Sequence, residues 1–188
     1  MNKVYAKRIG PILSPNHGRV IIKPYLPGEE IALSSDSRAA LLIQRILAIP
    51  ESDVSELLAS VLSNFTSRHR DLEAILEEHF GLVCHHVAVE LNDLSRERRL
   101  LIGAYCTHEY SVEGAALFNP SIVISPDQTG ILPNQVRVIL SVRAAGEGHI
   151  SCIEFRTALL EGETAFHFES QGRQLVTGRK TPPPYYEK

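Results

Sequence analysis

The chain reads as an α+β protein in which a helical region precedes a β-meander, and three observations carry that reading. Apolar residues from Val54 to Phe80 recur at steps of three and four, the period of an amphipathic helix. From residue 119 onward the period drops to two, in short runs separated by Pro, Gly and Asp turns. The 188 residues, 44% hydrophobic and 22% charged, suffice for one sizeable core or two small ones.

In chain order, residues 1–35 form an irregular arm rich in Pro and Gly, with one strand at Arg19-Val20-Ile21-Ile22-Lys23 before Pro24 and the Pro27-Gly28 turn. A helical region follows over 36–117. Ser34-Ser35-Asp36 offer capping oxygens to a short helix whose apolar face is Ala39, Leu42, Ile43, Ile46 and Leu47, interrupted by Pro50. Val54, Leu57, Leu58, Val61, Leu62, Phe65, Leu72, Ile75, Leu76 and Phe80 then predict one long helix, with room for a bend near Thr66-Ser67, ended by Gly81. Its other face, with Asp53, Glu56, Arg68, Arg70, Asp71, Glu73 and Glu77, reads as solvated. Ser95 is a candidate cap for a further helix through Leu100, Leu101, Ala104 and Tyr105 to about Leu117. Residues 118–180 form the meander, with strands expected at Ile122–Ile124, Val136–Val142, Ile150–Ala158, Ala165–Glu169 and Gln174–Thr177; a Pro-rich tail occupies 181–188.

Composition narrows the function classes. A formal net charge of -3 with dispersed Lys and Arg offers no basic face for nucleic acid. No apolar run reaches the roughly 18 residues of a membrane span, and Met1–Arg8 lacks a signal-peptide core, so the expected compartment is the cytoplasm, with no membrane partner. Cys84, Cys106 and Cys152 are odd in number and widely spaced, which suits reduced thiols.

Polar chemistry is densest in Phe118-Asn119-Pro120-Ser121 and in the segment Arg143 to Ser151. The second reads as a turn between two antiparallel strands. Ala144, Ala145, Gly146 and Gly148 remove bulk beside Arg143, Glu147 and His149, which would let a ligand approach, while Asn119 and Ser121 enter from another strand. Guanidinium, carboxylate, amide and hydroxyl groups so grouped suit sugar hydroxyls. The candidate substrate-binding residues are therefore Asn119, Ser121, Arg143, Glu147, His149 and Ser151.

Other motifs fail on spacing. His108-Glu109 lacks the second His of a helical zinc pair, because position 112 is Val. Cys84-His85-His86, with His69 and His79 upstream, has ligand types but no spacing that completes four ligands, and no metal is expected. Gly146-Glu147-Gly148 lacks the third glycine of a dinucleotide fingerprint and runs into a strand. There is no Gly-x-Ser-x-Gly elbow.

At these same residues the chain resembles glycoside hydrolase family 130, the β-mannoside phosphorylases and β-mannosidases, in particular its longer members with a helical region before the catalytic propeller. Arg68-His69-Arg70-Asp71-Leu72, Leu100 to Tyr105, Thr107 to Ser111, Phe118 to Ser121, Pro126-Asp127-Gln128 and Gly146 to Arg156 carry the resemblance in order, over residues 8–160. It implies a five-bladed β-propeller, of which the meander is the first and incomplete blade, and inverting cleavage of β-mannosidic bonds with phosphate or water as acceptor. No cofactor is implied; inorganic phosphate is the co-substrate where phosphorolysis occurs, and the partner is a β-mannoside oligosaccharide. Asn119, Ser121 and Arg143 match positions expected near the sugar, and Glu147, His149 and Ser151 lie in the matching turn.

One departure is large. The family's general acid is an Asp in a Glu-Asp pair, and these 188 residues contain no such pair. A blade takes about 40 to 50 residues, so the β-rich part supplies little more than one. The expectation is an N-terminal portion of a longer enzyme, inactive alone; the alternative is a carbohydrate-binding or interaction module that self-associates through its uncovered apolar face. A third reading, a small complete enzyme, would use Glu147 and Glu154 as its carboxylate pair.

Overall fold

The computed structural model describes residues 10–26, 37–162, 165–172 and 174–175. Mixed helix and antiparallel sheet make the chain α+β, as the two periodicities predict. Strand β1 (Val20–Pro24) is followed by helices α1 (Arg38–Leu47), α2 (Glu51–Phe65), α3 (Leu72–Val83) and α4 (Arg96–Tyr105), then by strands β2 (Thr107–Ser111), β3 (Ala116–Ile124), β4 (Gln135–Ala145), β5 (Ser151–Glu161) and β6 (Ala165–Phe168). Strands β1 and β2 pair antiparallel, and β3-β4-β5-β6 form an open four-stranded meander in chain order. Among the described residues no helix is long and apolar enough to cross a membrane.

Local chemistry starts the helices. The Ser37 hydroxyl, one residue beyond the expected caps, accepts from Ala40 N at 3.1 Å, and the Ser95 hydroxyl accepts from Arg98 N at 3.1 Å. Ile43, Ile46, Val54, Phe80, Val83, Leu101 and Ile102 close one core, while Leu58, Leu72, Leu76 and Leu100 close a second. Arg98 bolts the helices together. Its guanidinium donates to Ile46 O at 2.7 Å, Leu47 O at 3.2 Å and Ile49 O at 2.8 Å, carbonyls at and beyond the end of α1, and to Glu51 Oε2 at 2.6 Å. Gly103 lets α4 approach α3 closely, because a β-carbon there would overlap the Leu76 carbonyl.

Three helix boundaries depart from expectation. The long helix is two helices: the Thr66 hydroxyl donates to Leu62 O at 2.6 Å, and Asp71 adopts a left-handed φ of 51° before α3 folds back onto α4. Gly81 does not end α3, since it takes no left-handed conformation and Val83, fully buried, completes the apolar face. The helix expected to reach Leu117 stops at Tyr105. The Thr107 hydroxyl takes the Gly103 carbonyl at 2.7 Å, and Thr107–Ser111 finds an unpaired edge on β1, a partner distant in sequence. Residues 107–111 and 116–117 are therefore strand, and the boundary expected at 118 falls earlier.

In the meander, β4 pairs with β5 over its full length, from Gln135↔Glu161 to Ala145↔Ser151. The β3–β4 register breaks between Phe118 and Ser121, where Asn119 (φ 51°) and Pro120 form a bulge; proline has no N–H to give the ladder. Strands at 122–124, 136–142, 150–158 and 165–169 are all found, the first beginning six residues early. Gln174 and Leu175 are not strand; residues 176–177 and the 181–188 tail lie outside the described residues.

Candidate functional site

The hairpin of β4 and β5 positions most of the predicted polar groups. Arg143 sits opposite Phe118 on β3 and Ile153 on β5. Its guanidinium lies 5.2 Å from the Phe118 ring centroid, and its Nε donates to Ser151 Oγ at 3.0 Å. The three side chains thus share the outward face of the sheet. Asn119 and Ser121 are exposed at the adjoining bulge. His149 is exposed in the connecting turn at φ 58°, between the strands that carry Arg143 and Ser151.

Glu147 has another job. Its carboxylate accepts from Ser111 N at 2.8 Å while its own N–H donates to Ser111 O at 2.9 Å, so both backbone groups of the β2 end are satisfied by one turn residue. Gly146 makes the approach feasible, since a β-carbon there would overlap the Ser111 carbonyl. The residue fastens the turn to the β1–β2 ribbon.

On the inward face of the meander lies a cluster that sequence reasoning did not single out. Arg19, at the foot of β1, places NH2 2.5 Å from Glu154 Oε2 and Nε 3.0 Å from Glu113 Oε1. Arg156 pairs with Glu113 and, at 3.0 Å, with Glu154. The four form a closed ring of alternating charge, and Glu113, 0% exposed, also accepts Asn16 N at 2.8 Å. Arg19 Nε is close enough to attract Glu113 but lacks hydrogen-bond alignment. Glu154 is thereby committed to structure, and with Glu147 held by Ser111 the two do not form an exposed carboxylate pair.

The alternation in Cys152-Ile153-Glu154-Phe155-Arg156 is what hides this ring from sequence. Ordinary logic turns Ile153 and Phe155 inward and the charges outward. The structure does the reverse: Glu154 and Arg156 are buried, whereas Ile153 and Phe155 are 57% and 66% exposed. The only available signal was the count of two acids and two bases, which carries no pairing information by itself. Burial with the Glu154 carboxylate nearby also raises the Cys152 thiol above its ordinary range.

A third cluster joins the α2–α3 connection to β2. Arg68 grips the Glu109 carboxylate through Nε at 3.1 Å and NH2 at 2.9 Å, and His69 Nε2 bonds the same carboxylate. His79 Nδ1 lies 2.7 Å from the Thr107 hydroxyl. Burial holds its imidazole below the usual value. A cleft of about 450 Å³ runs beside these residues, walled mainly by Leu57, Val61, Phe65, Leu76 and Leu101. Among the described residues no three His, Cys, Asp or Glu side chains are grouped to hold a metal ion. No family model, curated protein or solved structure matches the chain.

Proposed function

We propose that this chain supplies sugar-binding groups to an inverting β-mannoside phosphorylase or β-mannosidase of glycoside hydrolase family 130, and does not supply the general acid. The observation that carries the reading is the contact set of Phe118, Arg143 and Ser151, flanked by Asn119 and Ser121 at the bulge, on an open strand face. A guanidinium, an amide and hydroxyls at neighbouring positions can bind adjacent sugar hydroxyls, and the Phe118 ring limits where Arg143 swings. A four-stranded antiparallel meander is also the unit from which propeller blades are built.

The test has two arms. Incubated with β-1,4-mannobiose and phosphate, the isolated chain forms no mannose 1-phosphate, because the acid that commonly contributes about 10² to 10⁴ in rate is supplied elsewhere. It binds mannobiose in calorimetry, and Arg143→Ala weakens that binding by about 10- to 100-fold, the loss of a charged hydrogen bond. An unchanged affinity in the variant removes Arg143 from the site.

A self-associating interaction module is the second reading, favoured by Val123, Ile153 and Phe155 exposed together on the outward face and by Ile122 and Ile124 exposed at the sheet edge. It predicts sugar-independent self-association in sedimentation velocity.

A further inference from the structure

The β1–β2 ribbon has two unlike faces. Ile22, Thr107 and Glu109 turn toward the helices, where they line the apolar cleft, to which His108 also contributes. Residues directly opposite in an antiparallel pair share a face, so His108 with Lys23 and Tyr110 with Ile21 occupy the other side. Tyr25 extends the ladder by donating its N–H to Cys106 O at 2.8 Å. The Tyr25 and His108 ring centroids are 6.0 Å apart and those of His108 and Tyr110 4.6 Å, tilted by 44° and 58°. Tyr25 remains 49% exposed.

This strip runs into the turn between β4 and β5. A β-carbon on Gly148 would lie 2.7 Å from Tyr110 Cε1, so glycine, here at φ 59°, lets the turn pack against that ring. His149 follows, and two residues later Ser151 meets Arg143. The ribbon's aromatic strip thus abuts the turn that leads into the sugar-binding cluster proposed above.

We infer that Tyr25 and His108, with Tyr110 behind His108 and covered by the turn, form a platform for further units of a neutral β-linked oligosaccharide whose end occupies the Arg143 cluster; the inference rests on the function proposed above. The C–H face of a pyranose buries apolar surface on an aromatic ring and meets the negative face of its π-system, while phenol and imidazole edges remain free to hydrogen-bond. Rings tilted in succession suit a chain whose successive units are turned relative to one another.

Calorimetry of the full chain with β-1,4-mannobiose and β-1,4-mannotetraose tests this. The tetraose binds about tenfold tighter than the disaccharide. Tyr25→Ala and His108→Ala, both at exposed positions and with folding checked by circular dichroism, bring the tetraose down to mannobiose affinity and leave mannobiose binding unchanged. Mannobiose binding without a gain for the tetraose overturns the platform and spares the cluster. A gain that survives in both variants also overturns the platform. No binding of either sugar overturns the platform and the proposed function together.

Discussion

Replacing Glu113 by Gln would strike the ion ring at its most enclosed member. Glu113 is 0% exposed and is met by Arg156, by Asn16 N at 2.8 Å and by Arg19 Nε at 3.0 Å. Glutamine keeps the volume and one acceptor oxygen but leaves two guanidinium groups to the single carboxylate of Glu154. Removing one partner of a buried pair costs about 3 to 5 kcal/mol, because the other charge stays desolvated without compensation. For a chain of this length each kcal/mol moves Tm by about 2 to 4 °C, so the expected drop is about 6 to 20 °C. Urea unfolding followed by circular dichroism, with calorimetry for Tm, measures it. Adding Arg156→Met restores neutrality, so the double variant costs less than the sum of the singles by at least about 1 kcal/mol. Glu73→Gln, which breaks an exposed pair with Arg96, serves as control at about 0.5 kcal/mol or less. A loss under about 1 kcal/mol for Glu113→Gln, or strict additivity with Arg156→Met, would refute a closed, dry ring.

Gly103→Ala forces α4 away from the Leu76 carbonyl and costs about 3 kcal/mol or more in urea unfolding; a neutral result would show that the helices can slide apart. Burial lowers the His79 pKa in the fold, so the unfolded chain binds the proton more readily: stability is complete above the ordinary imidazole value of 6.5 and declines as the pH falls below it. His79→Gln flattens the acid side of a plot of unfolding free energy against pH, and an unchanged slope would exclude His79 as its source. Burial pushes the Cys106 thiol up to about 11, so iodoacetamide at pH 8 modifies half-buried Cys84 well before Cys106, as read by peptide mass spectrometry. Comparable rates at the two sites would mean that the helical core is open.

Much of the local order was legible because its causes are local. Ser95 caps α4 through its own third neighbour, and the apolar spacing from Val54 to Phe65 corresponds to a real helix. The β4–β5 hairpin followed from period-two runs around a glycine-rich turn, which is why Arg143 and Ser151 could be placed as neighbours. The same reasoning ran through Thr66–Asp71 because apolar spacing persists across the break, while the hydroxyl bond and the left-handed Asp71 leave no trace in it. Glu147 reads from sequence as a ligand group, since nothing nearby in the chain reveals that Ser111 stands opposite.

The amino-acid sequence alone determined the α+β class, with helices ahead of a β-meander, and the grouping of polar residues around the β4–β5 turn. Tertiary structure decided that Thr107–Ser111 is a strand, which face of β5 is buried, and that Arg19, Glu113, Glu154 and Arg156 belong together. The physical reason is range. Capping and periodicity act over a few residues, whereas strand partnership and charge pairing depend on what the rest of the chain brings alongside: β1 offers an edge to β2, and Arg19 and Glu113 bring the countercharges that make burying Glu154 and Arg156 less costly than leaving them unpaired.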